Sequence, residues 1–183
     1  FKPFASTFSA FLSRAHDQIR MAALSSADFV ISGSHSGVSI GEDGASQMGL
    51  EDIAMFRDLP HSIVLYPSDA VSMEKLMLEA YNSPGIKYLR TTRPKTSVLY
   101  GKSEKFALGG FKLLKTGGKH QVVLVGAGIT LHEALKAHEL LKVKGVQTAV
   151  VDLYCVKPFN GSKFLKFVKK HGGKVVVVED HYR

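Results

Sequence analysis

The chain has 183 residues, 45% of them hydrophobic, which suits one large or two small domains with a real core. Its single cysteine, Cys155, excludes an internal disulfide and leads to the expectation of a reducing, cytoplasmic setting, and no apolar run reaches the ~18 residues of a membrane span. The net charge of +8 invites a nucleic-acid reading, but the lysines of "KSEKFALGGFKLLKTGGKH" and "KFLKFVKKHGGK" are interleaved with apolar residues at helical spacing and no binding motif accompanies them, so neither nucleic acid nor a membrane is expected as a partner.

From the N-terminus, apolar residues at 8, 11, 12, 15, 19, 22 and 23 recur at helical steps and predict a helix over residues 6–24. By that periodicity Phe8 and Phe11, at i and i+3, belong to its core face. The opening stretch lacks the pattern of a signal peptide. "ADFVISGS" predicts a short strand ending in Gly and Ser. "QMGLEDIAMFRDL" is again helical, with Gln47 opening it; "SIVLYP" is a buried strand closed by proline. "SDAVSMEKLMLEAYN" starts on a Ser-Asp cap signal and continues as an amphipathic helix, and "IKYLRTT" is a further strand. Strand and helix alternate, the pattern of an α/β layer with a mostly parallel sheet.

Prolines, glycines and lysines then interrupt the order, with strand content near "KFALGGFKLLK". "HQVVLVGAGITLHEALKAHELLKVKGVQTAVVDLYCVKPF" makes a strand–helix–strand unit, and "SKFLKFVKKHGGKVVVVED" adds a helix and a strand that reads as buried. The predicted organisation is two partial three-layer α/β units with mostly parallel sheets: residues 1–95, a linker over 96–118, and residues 119–183. A chain that opens on "FKPFASTFSAF" and stops against an apolar run is expected to be a fragment.

Several chemistries fail on spacing. Gly126 and Gly128 resemble half a dinucleotide fingerprint, but the third glycine position holds Leu131; the alternative is a tight turn with Thr130 as N-cap and Glu133 as its capping-box partner. The eight histidines show no metal-ligand spacing, and no metal site is expected. "GSHSG" puts His35 where a nucleophile elbow needs serine.

The loop "GSHSGVSIGEDGASQ" is different. It follows a strand's C-terminal end, where open α/β sheets bind ligands. His35 can bind a phosphate or hydroxyl, Asp43 sits in a glycine-flanked acidic pair suited to a polyol, and Gln47 brings a donor and an acceptor. Arg93 follows another strand end and can bind a phosphate bidentately, as can Arg90 in that strand's last residues; the alternative for each is a surface arginine.

Taken in order, "FASTFSAFLSRAHDQIRMAAL", "GSHSGVSIGEDGASQMGLEDIAMFRDLP", "YPSDA" and "RTTRP" resemble the pyrimidine-binding domain of transketolases, and "VGAGITLHEAL", "VKPF" and "VEDHYR" resemble the start of their C-terminal domain. The loop is similar to that of the animal-type members; yeast and plant members carry histidine where Gln47 stands. The resemblance implies thiamine diphosphate-dependent transfer of a two-carbon ketol unit from a ketose phosphate to an aldose phosphate in the pentose phosphate pathway. It implies a homodimer with the site between subunits, and Mg2+ or Ca2+ whose ligands lie outside these residues. By position it makes Phe11, with Phe8 beside it, the contact for the cofactor's pyrimidine ring, in place of their core reading. Gln47 would lie near the cofactor and the substrate's first hydroxyl, Asp43 would bind substrate hydroxyls, and His35 and Arg93 the substrate phosphate. The family's catalytic glutamate has no counterpart here, so the isolated chain is expected to be inactive. Two further readings stay open: a non-catalytic partner subunit, and one chain of a split enzyme.

Overall fold

In the computed structural model, residues 1–116 and 122–182 are described, so the predicted boundary at 119 and the end of the predicted linker lie outside them. The first sheet contains β1 (Phe4–Phe8), β2 (Phe29–Ser34), β3 (Ile63–Leu65), β4 (Ile86–Arg90) and, from much later in the chain, β8 (Cys155–Lys157). Their spatial order is β1-β2-β4-β3-β8, with β8 the antiparallel member. The second sheet runs β5 (Lys112–Lys115), β7 (Thr148–Asp152), β6 (Val122–Gly126), β9 (Val175–Val177), with β5 antiparallel and the rest parallel.

Adjacent strand residues feed opposite faces, as the two-residue period requires. Val30, Leu65 and Leu89 join Leu76 and Ala80 of α3 (Ala70–Asn82) in one core; their neighbours Ile31, Val64 and Tyr88 join Ile19 of α1 (His16–Leu24) and Phe56 of α2 (Asp52–Asp58) in the other. The second sheet repeats the scheme: Leu124 and Val150 pack on α4 (Ile129–Val143), and Val123, Val125 and Val151 face Phe164 and Phe167 of α5 (Gly161–Lys170). Both units are therefore three-layer α/β. The stretch expected to be a linker buries Tyr100 and Phe106 in the first core and carries β5.

The capping signal before α3 is realised. Asp69 Oδ1 accepts the Ser72 N–H at 2.7 Å and Ser72 Oγ accepts the Asp69 N–H at 3.0 Å, which satisfies two first-turn donors reciprocally. Burial acts against the Asp69 carboxylate, but bonds from Ser72 and from the Leu99 and Tyr100 amides prevail and lower its pKa.

Several expectations fail for physical reasons. Residues 4–8 are not helical; they pair in parallel with β2, and a seven-residue 3-10 segment, Ser9–Ala15, precedes α1. Helical periodicity holds for Leu12 and Ile19, which are buried, but pairing with a neighbouring strand captures the residues before them. Gln47 lies in a separate 3-10 turn, Ala45–Gln47, and α2 begins only at Asp52. α4 starts from Gly128 without a side-chain cap; Thr130 Oγ1 instead bonds the Ala127 amide and carbonyl at 3.1 and 2.9 Å. The final valine run forms an edge strand whose side chains are 38–54% exposed rather than buried.

Candidate functional site

Parallel order β1-β2-β4 brings the C-terminal ends of three strands side by side. Phe8 ends β1, His35 follows β2, and Arg93 lies three residues beyond β4. Pairing continues past the strand ends: Thr91 N–H donates to Gly33 O at 2.9 Å and Ser36 N–H to Thr91 O at 3.0 Å. His35 turns the chain away with a left-handed backbone (φ 57°), a conformation His tolerates better than β-branched residues do.

Three rings form a stack at this edge. The Phe8 ring lies 3.9 Å from the His35 ring at 18° and 5.6 Å from the Phe11 ring at 8°. Phe11 is 51% exposed, so its helical spacing does not make it core. Such stacking is worth about 0.5–1.5 kcal/mol beyond buried area and gives each ring a defined plane. His35 Nδ1 is further engaged with Ser34 Oγ at 3.1 Å.

The loop beyond His35 closes on itself. Gly37 N–H donates to Gly49 O at 2.9 Å, and Ser36 bridges to Gly49. Inside it, Arg93 Nη1 donates to Ile40 O at 2.7 Å and to Asp43 Oδ2 at 2.8 Å, which ties the arginine across the loop. Ile40 is buried beneath, while Asp43 and Arg93 stay partly open to solvent. Gln47 is half-buried on the same loop, and among the described residues its side chain has no hydrogen bond to His35, Asp43 or Arg93. Ser39 Oγ, also in the loop, is buried without a partner.

Arg90 is not available to a ligand. It is fully buried, with Nε on Asp52 Oδ2 at 2.7 Å and Nη1 on Asp180 Oδ1 at 2.7 Å, over the ring of Tyr66. Burial opposes its charge, but Tyr66, Asp52 and Asp180 outweigh it and raise its pKa. Burial and the Asp52 carboxylate likewise push the Tyr88 phenol well up, so it donates to Asp52 Oδ2 at 2.6 Å. Reading the sequence missed Asp180 and Asp52 as members of this cluster; the one signal for Asp180 is an acid closing an apolar run.

The Gly126–Gly128 turn is explained by packing. A Cβ on Gly128 would meet the Tyr66 ring at 1.9 Å, and one on Gly126 would meet the Leu131 backbone at 2.7 Å. These glycines let the second unit and its helix close in, and the space a dinucleotide pyrophosphate needs at Gly128 is filled by Tyr66. Beside this turn Asp152 is fully buried, accepting from Tyr100 Oη at 2.6 Å and Ser68 Oγ at 3.0 Å. Burial pushes its pKa up to about 7, against the pull of those two hydroxyls. Among the described residues no group of three His, Cys, Asp or Glu is placed to hold a metal ion.

Comparison with known proteins identifies the family and the fold. A family model described as "Transketolase, pyrimidine binding domain" matches residues 1–97, and one described as "Transketolase, C-terminal domain" matches residues 112–183. The chain is 50% identical over 180 residues to transketolase-like protein 2 of Mus musculus and 49% identical over 180 residues to transketolase of Homo sapiens. In both cases the match covers 98% of this chain and 29% of the relative. A split-gene transketolase, solved as an inactive β4 tetramer, superposes with a TM-score of 0.87 at 31% identity, over 98% of this chain and 57% of that one. Transketolase from Leishmania mexicana shares the fold at 24% identity, with a TM-score of 0.86 over 100% of this chain and 28% of that one.

Proposed function

The chain belongs to the transketolase family, and from that premise we propose that it forms the pyrimidine-side wall and the substrate loop of a thiamine diphosphate-dependent ketol-transfer site. The reaction moves a two-carbon ketol unit from a ketose phosphate to an aldose phosphate, in the cytoplasmic pentose phosphate pathway. Because the chain spans about 29% of the length of these curated relatives, the remainder of the site is assigned to residues beyond the 183. That includes the diphosphate-binding domain, a divalent Mg2+ or Ca2+ with its ligands, and the catalytic glutamate, with the site completed between two subunits.

One observation carries the reading: the stacked Phe11, Phe8 and His35 rings lie on the same sheet edge as the Arg93–Asp43 pair. An exposed, plane-defined phenyl face fits the cofactor's aminopyrimidine ring. When bound, thiamine diphosphate supplies the nucleophilic carbon and electron sink that break and remake the ketol carbon–carbon bond. This chain's residues bind and orient. Phe11, backed by Phe8, holds the ring; Gln47 lies toward the cofactor and the first substrate hydroxyl. Asp43 accepts from sugar hydroxyls, and Arg93 with His35 takes the phosphate. Arg93 and Asp43 are paired with one another, so a phosphorylated sugar enters by exchanging that ion pair for a phosphate on Arg93 and hydroxyl donors on Asp43.

The test is complementation. The purified 183-residue chain with thiamine diphosphate and magnesium is expected to show no ketol transfer, and the full-length protein carrying these residues is expected to show it. Turnover by the chain alone would overturn the division of the site, and an inactive full-length protein would overturn the activity. A second reading, one chain of a split enzyme, is favoured by the likeness to the split-gene transketolase. It predicts that adding a separate diphosphate-binding polypeptide restores turnover.

A further inference from the structure

The second unit reaches the feet of the substrate loop. Asp180, just beyond β9, receives Arg90 Nη1 at 2.7 Å on Oδ1, and its backbone carbonyl receives Arg90 Nη2 at 3.1 Å. The same Nη2 donates to Gly49 O at 3.0 Å, and Gly49 O also holds the Gly37 N–H. The fit around Asp180 is close: a Cβ on Gly37 would stand 1.7 Å from Asp180 Oδ2. The neighbours of Asp180 fasten the segment on the C-terminal side of the loop. Tyr182 N–H donates to Leu50 O at 3.0 Å, and His181 Nε2 accepts the Ala54 N–H at 3.3 Å.

Between its feet the loop is two short 3-10 segments, Val38–Asp43 and Ala45–Gln47, whose backbone bonds (Gly44 N–H to Gly41 O and Gln47 N–H to Gly44 O, each 3.2 Å) are internal to the loop. Ile40 is its buried anchor, and Arg93 straps it from one side. Where Asp43 and Gln47 come to rest therefore depends on where Gly37 and Gly49 are clamped. Neither Asp180 nor Arg90 reaches the open side of the site, since both are buried.

We propose that Asp180 and Arg90 form a brace through which the second unit sets the position of the substrate loop, making Asp180 a positioning residue for sugar-phosphate recognition. This gives the second unit a role in substrate selection without any contact to substrate. It rests on the ketol-transfer reading above.

Two glycines provide an internal comparison. Gly37 and Gly41 share a φ of 77°, with ψ of −168° and −124°, so alanine is strained at both, but only Gly37 meets Asp180; nothing lies within 4 Å of a Cβ on Gly41. In the full-length protein, Asp180→Asn and Gly37→Ala are expected to raise the KM for a phosphorylated sugar at least ~5-fold. Both should leave thiamine diphosphate affinity within about 2-fold, and both should speed amide hydrogen exchange over residues 38–48 by about 10-fold, the order of a loop losing one clamp. Gly41→Ala is expected to raise KM by clearly less than Gly37→Ala.

Equal effects of the two glycine variants, or unchanged exchange of the loop amides in Asp180→Asn, would overturn the brace. Loss of cofactor affinity in step with KM would also overturn it, by reducing Asp180 to a general anchor. Should Asp180→Asn fail to fold, the glycine pair decides alone. An inactive wild type would instead overturn the ketol-transfer reading, and the exchange measurement would still decide whether the loop is clamped.

Discussion

Arg93 donates to Asp43 across the loop at 2.8 Å, so the residues proposed to take a sugar's phosphate and its hydroxyls hold each other. The pair is partly exposed, and pairs of that kind are worth about 0.2–1 kcal/mol. Asp43→Asn removes the competitor for Arg93 but weakens the acceptor for hydroxyls. The expected outcome is a ~1.5- to 5-fold tighter inhibition by inorganic phosphate together with at least a ~10-fold lower kcat for sugar substrates. Steady-state kinetics with phosphate as inhibitor check both, and weaker phosphate inhibition would contradict the competition.

Phe8 is the middle ring of the stack, and His35 rests on it. Phe8→Leu keeps apolar volume but loses the flat partner. An aromatic contact of this kind contributes about 0.5–1.5 kcal/mol, so substrate affinity through His35 should fall ~2- to 10-fold. Cofactor affinity should fall as well, because Phe8 also backs Phe11. Isothermal titration with thiamine diphosphate and a KM series with phosphorylated and unphosphorylated sugars would separate the two losses.

Asp152 gives a stability signature in pH. Its folded pKa is about 7, above the ordinary carboxylate value, so the folded state holds a proton that the unfolded chain has released. Stability from this group is complete below about pH 4 and falls as pH rises toward 7, by about 1.4 kcal/mol per unit over that window. Above pH 7 the loss is complete and constant. Asp152→Asn cannot ionise. The difference in melting temperature between wild type and this variant, followed from pH 4 to 8, should move steadily in the variant's favour and level off near 7. A flat difference would show that Asp152 titrates normally.

Gly128 is held open for Tyr66, with a left-handed φ of 56°. Gly128→Ala forces both an overpacked contact and a strained backbone, together costing about 2–5 kcal/mol. Chemical denaturation should register that loss, with no dinucleotide able to protect either form.

Much of this molecule was legible in order along the chain. Apolar runs marked β2, β3, β4, β6 and β7, and three- and four-residue periodicity marked α3, α4 and α5, because each pattern is local and its burial follows from its own spacing. The Asp69 cap was legible for the same reason. β1 was hidden because residues 4–8 carry the beginning of a helical pattern and become a strand only beside β2. "CVK" was read as the end of the second unit's strand–helix–strand stretch; it is instead the separate strand β8, too short to declare itself, and it crosses to pair with β3 of the other unit.

The loop from His35 to Gln47 stood out by composition alone, with glycines, acids and a histidine that suit neither an α-helix nor a strand; it folds as short 3-10 segments. Its contents, and the aromatic pair ahead of it, were set by the order of residues. That Phe8 stacks with both Phe11 and His35, that Arg93 closes on Asp43, and that Arg90 turns inward to Asp180 across 90 positions were decided only by the tertiary structure. The reason is that each of these contacts joins residues on different elements, and their distances depend on which strands lie side by side in the sheet and on how closely the second unit packs against its edge.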